Sequence, residues 1–371
     1  MYLFIIYTFF LFASFVKSNV KYKKLTDYCY FFFLWLFSST TMNGKDKLSY
    51  EGMFLSINPN DIHAAFSQVV VDKGYYFLNL VVRFFTDEFV IFLMTASLIT
   101  TFLTFKAFKY FEFVYKIRIE LIFLVYLPTV FIAAQMGALR QSIAIAIFLF
   151  SFRYLLENKN VKYLICILFA STFHMSALIL MLLPLFFYFK GRKKLLIIAL
   201  VHLSFFIFLM YISSTVEIGR LMSYAKDSAS YGMIGVLERL TFLSLFLFIY
   251  MKRNNDDKVT ILMEIYFLYV LQSFVFDSFF AVMYRIKLYY FGLFSVLFPI
   301  LFCKMTYHKA NLGRFILYLY GIIQVVAFTS PQEVKDYFFP YRNYFFDEHT
   351  NSETQRINDT ISEFNILFEL K

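Results

Sequence analysis

The sequence predicts an all-α fold, a polytopic bundle of transmembrane helices. Three observations predict it. Of the 371 residues, 60% are hydrophobic and 16% charged, against about 45–50% apolar and about 25% charged in a soluble domain. The apolar residues form long blocks: Leu195–Val216 has no Asp, Glu, Lys or Arg in 22 residues, and Leu121–Leu139 none in 19. Phe315–Gln332 has none in 18 and Phe89–Phe105 none in 17. Each block is near the ~20 residues that a helix needs to cross a bilayer. Finally, the blocks do not alternate apolar and polar residues as the strands of a membrane barrel do. Helices then remain as the way to satisfy every backbone group in lipid.

The elements follow from apolar length and are oriented by Lys and Arg, which favour the cytoplasmic side. Met1–Val16 has its lysines after it and no basic stretch before it, so it reads as a first span with its N-terminus outside, not as a cleavable signal. A second span covers about 27–42. A polar stretch, 43–73, leads to Gly74–Phe85, which is short, aromatic and charged at Arg83, as a helix lying along the interface would be. Spans follow at about 88–105, 119–137 and 141–157. Tyr163–Phe189 has 27 residues without a formal charge and His174 near its middle. It is one long tilted helix, or a hairpin or re-entrant pair. Lys162 before it and Lys190, Arg192, Lys193 and Lys194 after it belong on one side, which favours the hairpin. Further spans lie at about 195–214, 236–251, 259–279, 286–303 and 311–329. Residues 1–329 thus form a transmembrane domain of about 12 crossings, and 330–371 a polar, solvated tail outside the cytoplasm.

The net charge of +10 is a consequence of this topology, because most basic residues fall in the inner loops. No nucleic-acid partner is needed to explain it. Cys29, Cys166 and Cys303 sit in apolar segments without metal spacing and offer no disulfide framework. No phosphate-binding glycine loop or metal-ligand cluster is visible. Most of the 54 Phe and 29 Tyr are expected to face lipid or its interface.

The topology gathers polar residues on the outer face, where basic residues are scarce. These are Asp46 and Tyr50 in GKDKLSY, Arg140 and Gln141 in MGALRQS, His174 in STFHMSA, Arg285 in MYRIKLYY and Arg342 in PYRNYFF. Asp277 and the loop residues Glu217, Arg220, Tyr224 and Asp227 fall on the same side. Each has a plain structural reading as a span-end anchor, a packed core histidine or a solvated loop residue. Together they suit a lipid diphosphate. The arginine guanidinium presents a fixed fork of donors that matches phosphate oxygens. Cations placed where charge develops on a departing diphosphate stabilise the transition state more than the ground state. An acceptor hydroxyl needs a proton acceptor, for which His174 and Asp46 are the candidates.

The segment 136–187, with Arg140-Gln141 followed by Ile-Ala and Phe173-His174-x-Ser-Ala some thirty residues on, resembles the central region of the EpsG family, relatives of the Wzy polysaccharide polymerases. GKDKLSY resembles that family's Gly-x-Asp-x-x-x-Tyr, MYRIKLYY its later Arg–Tyr segment and PYRNYFF its closing Pro-Tyr segment. The Gly-x-Asp loop lacks the clear basic residue that would precede it. The resemblance covers about 42–346. It implies a fold akin to lipid-sugar-dependent GT-C glycosyltransferases in the bacterial inner membrane. It also implies a role in exopolysaccharide, capsule or O-antigen assembly. A glycan on undecaprenyl diphosphate would be transferred to a lipid-linked repeat unit at the outer leaflet, with no metal or other cofactor. Flippase and chain-length-regulating proteins are the partners it implies. Three rivals stand beside it. A transporter places its ionisable groups at mid-membrane, and most here sit at span ends. An O-acyltransferase needs its histidine on the route of a cytoplasmic acyl donor. A GT-C enzyme moving one sugar from a polyprenyl monophosphate is separated from a polymerase only by the family resemblance.

Overall fold

The computed structural model describes residues 20–44, 46–60, 72–189, 194–215, 257–275, 280–304, 310–329 and 341–369, with residues 8, 240 and 243 besides. Apart from residues 8, 215, 240 and 243, the expected spans at 1–16 and 236–251 and the loop 215–235 lie outside the described residues, as does Asp277. Those described are helical apart from connections and one isolated bridge. In chain order they are α1 (Val20–Thr40), α2 (Lys47–Ser56), α3 (Lys73–Arg83), α4 (Phe89–Tyr115), α5 (Ile119–Tyr126), α6 (Leu139–Leu156), α7 (Asn160–Phe173), α8 (Lys194–Thr215), α9 (Asp257–Val275), α10 (Phe280–Pro299), α11 (Ala310–Thr329) and α12 (Asn351–Glu369). Five helices among the described residues are long and apolar enough to cross a membrane: Phe89–Tyr115, Ile119–Gly137, Leu139–Leu156, Met283–Phe302 and Asn311–Thr329.

Two helices change register where proline interrupts the backbone ladder, since proline supplies no N–H and crowds the preceding turn. At Pro128, α5 passes into a π-helical stretch, Leu127–Gly137. After Pro299, α10 passes into a π-turn, Ile300–Lys304. In the first stretch Gln135 is buried and its side-chain N–H2 donates to Thr101 Oγ1 (2.7 Å) and Ser38 Oγ (3.3 Å). That amide ties three helices together in surroundings where an unpaired polar group is costly.

The segment 163–189 reverses direction at His174. A continuous α-helix would hold Tyr163 and Leu180 roughly 25 Å apart at 1.5 Å per residue. Instead the Tyr163 hydroxyl donates to the Leu180 carbonyl at 2.8 Å. The chain forms a hairpin of α7 and a 3-10 helix, Met175–Leu182, joined at an extended His174. Its apolar arms, Asn160–Phe173 and Met175–Tyr188, are shorter than the five long helices.

The chain order then sorts the charged residues to two ends of the bundle. One end gathers Lys23, Asp27, Lys109, Glu112, Arg118 and Glu120 into ion pairs such as Lys23–Glu112 and Lys109–Asp27, both at 2.7 Å. The other end holds the start of α6, the hairpin tip, the start of α10, the connection after α1 and the segment before α12.

Candidate functional site at one end of the bundle

Asp72 sits at the centre of the site. It is buried and adopts a left-handed backbone (φ 59°) just ahead of α3, a conformation that Asp tolerates better than most residues. Its carbonyl accepts the Tyr75 N–H at 2.9 Å, starting the helix. Gly74 follows where α3 meets the end of α7, and a Cβ there would lie 3.0 Å from Thr172 Cβ and 3.1 Å from its carbonyl. That close approach delivers the Asp72 carboxylate to the hairpin tip. Arg140 Nη1 donates to Asp72 Oδ2 at 2.9 Å, and the Met175 backbone N–H reaches Oδ1 at 3.3 Å. The His174 Nδ1 stands 3.9 Å from Oδ2, beyond hydrogen-bond length. Among the described residues, neither ring nitrogen of His174 has a hydrogen-bond partner, although both atoms are buried.

Arg140 is held from its other sides by aromatic rings. Its guanidinium carbon lies 5.6 Å from the Tyr50 ring centroid and 5.9 Å from that of Tyr75, within cation–π range. Asp46, Arg140 and Arg285 all act electrostatically on the Tyr50 hydroxyl. Gln141, the next residue on α6, donates from its amide to the Arg285 carbonyl at 2.6 Å, fixing the start of α10 beside the start of α6. Ser176 Oγ and the Tyr289 hydroxyl, 3.3 Å apart, join the hairpin to α10. Six of the seven residues singled out from sequence, Asp46, Tyr50, Arg140, Gln141, His174 and Arg285, therefore stand at one site. Asp72 was not among them.

Asp46 precedes α2 and makes no side-chain cap to it; its carbonyl accepts the Tyr50 N–H at 3.0 Å. The loop ahead of it lies on the end of the π-helical stretch. Gly44, at φ +139°, carries no Cβ where one would meet the Met136 carbonyl at 2.5 Å. Lys47 is wholly buried and its ammonium donates to the Thr41 carbonyl at 2.9 Å. Burial lowers it to about 7.

Arg342 belongs to a different arrangement, a clasp between the two ends of the chain. Its backbone N–H donates to Asn43 Oδ1 (2.8 Å), and the Met42 and Tyr344 N–H groups donate to the Arg342 and Thr40 carbonyls, each at 2.9 Å. Its guanidinium pairs with Glu353 at 2.6 Å and donates to the Glu348 carbonyl. The Tyr344 hydroxyl donates to Glu51 at 2.8 Å, and the His349 Nε2 meets the same carboxylate at 3.1 Å. α12 packs on α2 on its Ile357 side, because Gly52 leaves room for it: a Cβ there would lie 2.7 Å from Thr360 Cβ and 2.9 Å from the Ile357 carbonyl. Most of the other described side chains of α12 are exposed.

The clasp carries a pH dependence. The hydrogen bond to Glu51 holds the His349 imidazolium above its ordinary value. A histidine raised by folding lends stability that is full below about 6.5, its unfolded value, and lost as pH rises through the higher folded value. Proteolysis of the α12 tail is therefore expected to accelerate as pH rises from about 6.5. The His349→Gln protein should lose that dependence. Lys47 acts in the opposite sense, because its lowered value makes α2 more stable as pH rises above about 7, and comparison with His349→Gln removes its share. Identical profiles for the two proteins would exclude His349 as the source.

The chain matches no solved structure and no curated protein. A family model described as the EpsG family matches residues 24–343. That stretch takes in Asp46, Tyr50, Asp72, Arg140, Gln141, His174, Arg285 and Arg342, and ends just before the part of the clasp formed by Tyr344, His349 and α12. With most of its length and its site under that match, the chain belongs to the EpsG family.

Proposed function

We propose that this membrane protein is a polysaccharide polymerase of the GT-C-like glycosyltransferase type, acting at the outer leaflet of a bacterial inner membrane. It takes a glycan from undecaprenyl diphosphate and joins it to a lipid-linked oligosaccharide repeat unit. The observation that carries this reading is the constellation of half-buried Arg140 and Arg285 with a His174 whose ring nitrogens have no hydrogen-bond partner among the described residues, at one end of an apolar bundle. Two arginines suit an anionic leaving group at the membrane surface. An imidazole with open nitrogens suits removal of a hydroxyl proton. Membership of the EpsG family supports the same class of chemistry.

The orientation rests on the positive-inside rule, since Lys106, Lys109, Lys116, Arg118, Arg153 and Lys159 all lie at the end away from the site. A single cysteine at position 347 should react with a membrane-impermeant maleimide in intact cells, and one at position 159 only after permeabilisation. The reverse pattern would put the site on the cytoplasmic side.

The reaction displaces diphosphate from the anomeric carbon. The acceptor hydroxyl oxygen forms the new glycosidic bond, the C–O bond to phosphate breaks, and its electron pair stays on the diphosphate, where the arginines stabilise it. The hydroxyl proton passes to His174 or to Asp46. Deleting the gene should leave the host with single lipid-linked repeat units on the outer leaflet and no long polymer. Long polymer of normal length in the deletion strain would sink the reading, and units confined to the inner leaflet would indicate a flippase.

A further inference from the structure

We propose that Asp72 is a positioning residue that exchanges partners, neutralising Arg140 in the empty site and turning to His174 when a diphosphate takes its place on the arginine. The proposal rests on the polymerase reading above and assigns a role to a residue that reading does not use.

The geometry places one oxygen between two partners. Asp72 Oδ2 accepts from Arg140 Nη1 at 2.9 Å and stands 3.9 Å from His174 Nδ1. The second oxygen stays anchored on the Met175 backbone N–H at 3.3 Å, so a small turn of the carboxylate reaches the imidazole without loss of that anchor. Buried polar atoms are nearly always hydrogen-bonded, yet both buried nitrogens of His174 lack a partner among the described residues, as does Arg140 Nε. Such groups mark a site that its ligand completes. A diphosphate brings more negative charge than one carboxylate and accepts bidentate arginine donation, so it displaces Asp72 from the guanidinium. The freed carboxylate then accepts the Nδ1–H of His174. That bond fixes the tautomer with its lone pair on Nε2, the atom left to take the acceptor hydroxyl proton. Base and leaving-group clamp are thereby armed by the same binding event.

The charged groups facing His174 are Asp72 ahead of α3, Arg140 on α6 and Arg285 on α10. Tyr289 on α10 is held to Ser176 of the hairpin. Among these described groups only Asp72 is negative, so its loss should weaken the base.

The test is Asp72→Asn in purified protein supplied with lipid-linked repeat units. The expected kcat falls at least tenfold while KM for the lipid diphosphate stays level or drops, because Arg140 has lost its competitor. The acid limb of the kcat profile should move to lower pH by about one unit, the size of shift that one adjacent charge produces. A raised KM with an unmoved limb would overturn the exchange and reduce Asp72 to a structural partner of Arg140. If Asp72→Asn fails to accumulate, Asp72→Glu decides. Its longer carboxylate keeps the charge, so activity within about tenfold of wild type and an unmoved acid limb are expected. A folded glutamate variant without activity would count against the exchange. Wild-type protein that binds the repeat unit but forms no glycosidic bond would instead refute the polymerase reading itself, and this proposal with it.

Discussion

Arg140→Lys is expected to lower polymer formation about 100-fold, the usual cost of removing one donor aimed at developing charge, while the protein still accumulates in the membrane. The lysine keeps one positive charge and still meets Asp72, which is 2.9 Å from the native guanidinium, so no buried carboxylate is stranded. It loses the planar fork that grips two phosphate oxygens at once. It also loses much of the contact with the Tyr50 and Tyr75 rings. Arg140→Ala would be a poorer probe. Breaking a buried ion pair by removing one member costs about 3–5 kcal/mol, and lost folding would then be confused with lost chemistry. Arg285→Lys should behave like Arg140→Lys. The checks are polymer length on gels and protein level in washed membranes, and polymer within about threefold of wild type at equal protein would mean that the fork is not used.

His174→Gln is expected to slow polymerisation at least tenfold, about 1.4 kcal/mol of transition-state stabilisation. Glutamine retains hydrogen-bonding capacity at a position where neither imidazole nitrogen has a partner among the described residues, so folding should be little disturbed. It has no basic group that titrates in the working range. Rates measured with purified lipid-linked repeats decide, and near-normal turnover would return His174 to a packing role and leave Asp46 as the candidate base. The arginine result would survive that outcome, because it rests on phosphate geometry and not on proton transfer.

The long apolar segments were legible because their signal is local. The span expected at 119–137 coincides with Ile119–Gly137, and that at 311–329 with Asn311–Thr329. The span expected at 88–105 continues to Tyr115. Lys106 and Lys109 looked like its end, but Lys109 is neutralised by Asp27 and Glu112, and the helix runs on past the bilayer core. Arg140 and Arg285 were legible because each stands at the edge of an apolar block, and His174 because it interrupts one near its middle. Asp72 was not. It closes a polar stretch, its neighbours 61–71 have no pattern that distinguishes it, and its partner Arg140 is 68 positions away. A left-handed backbone and a glycine contact decide where it points, and neither is written in hydropathy. Arg342 was legible as part of a motif. Its use in a clasp was not, because that depends on pairing with residues some 300 positions earlier.

The central claim is that this chain itself forms glycosidic bonds between lipid-linked units. The direct measurement is the length distribution of glycan after purified protein in phospholipid vesicles is given a single undecaprenyl-diphosphate-linked repeat unit, with no nucleotide sugar present. The account predicts a ladder of two, three and more repeats on lipid with release of free undecaprenyl diphosphate, and no ladder from Arg140→Lys at equal protein. Single units that move between leaflets without lengthening would contradict it.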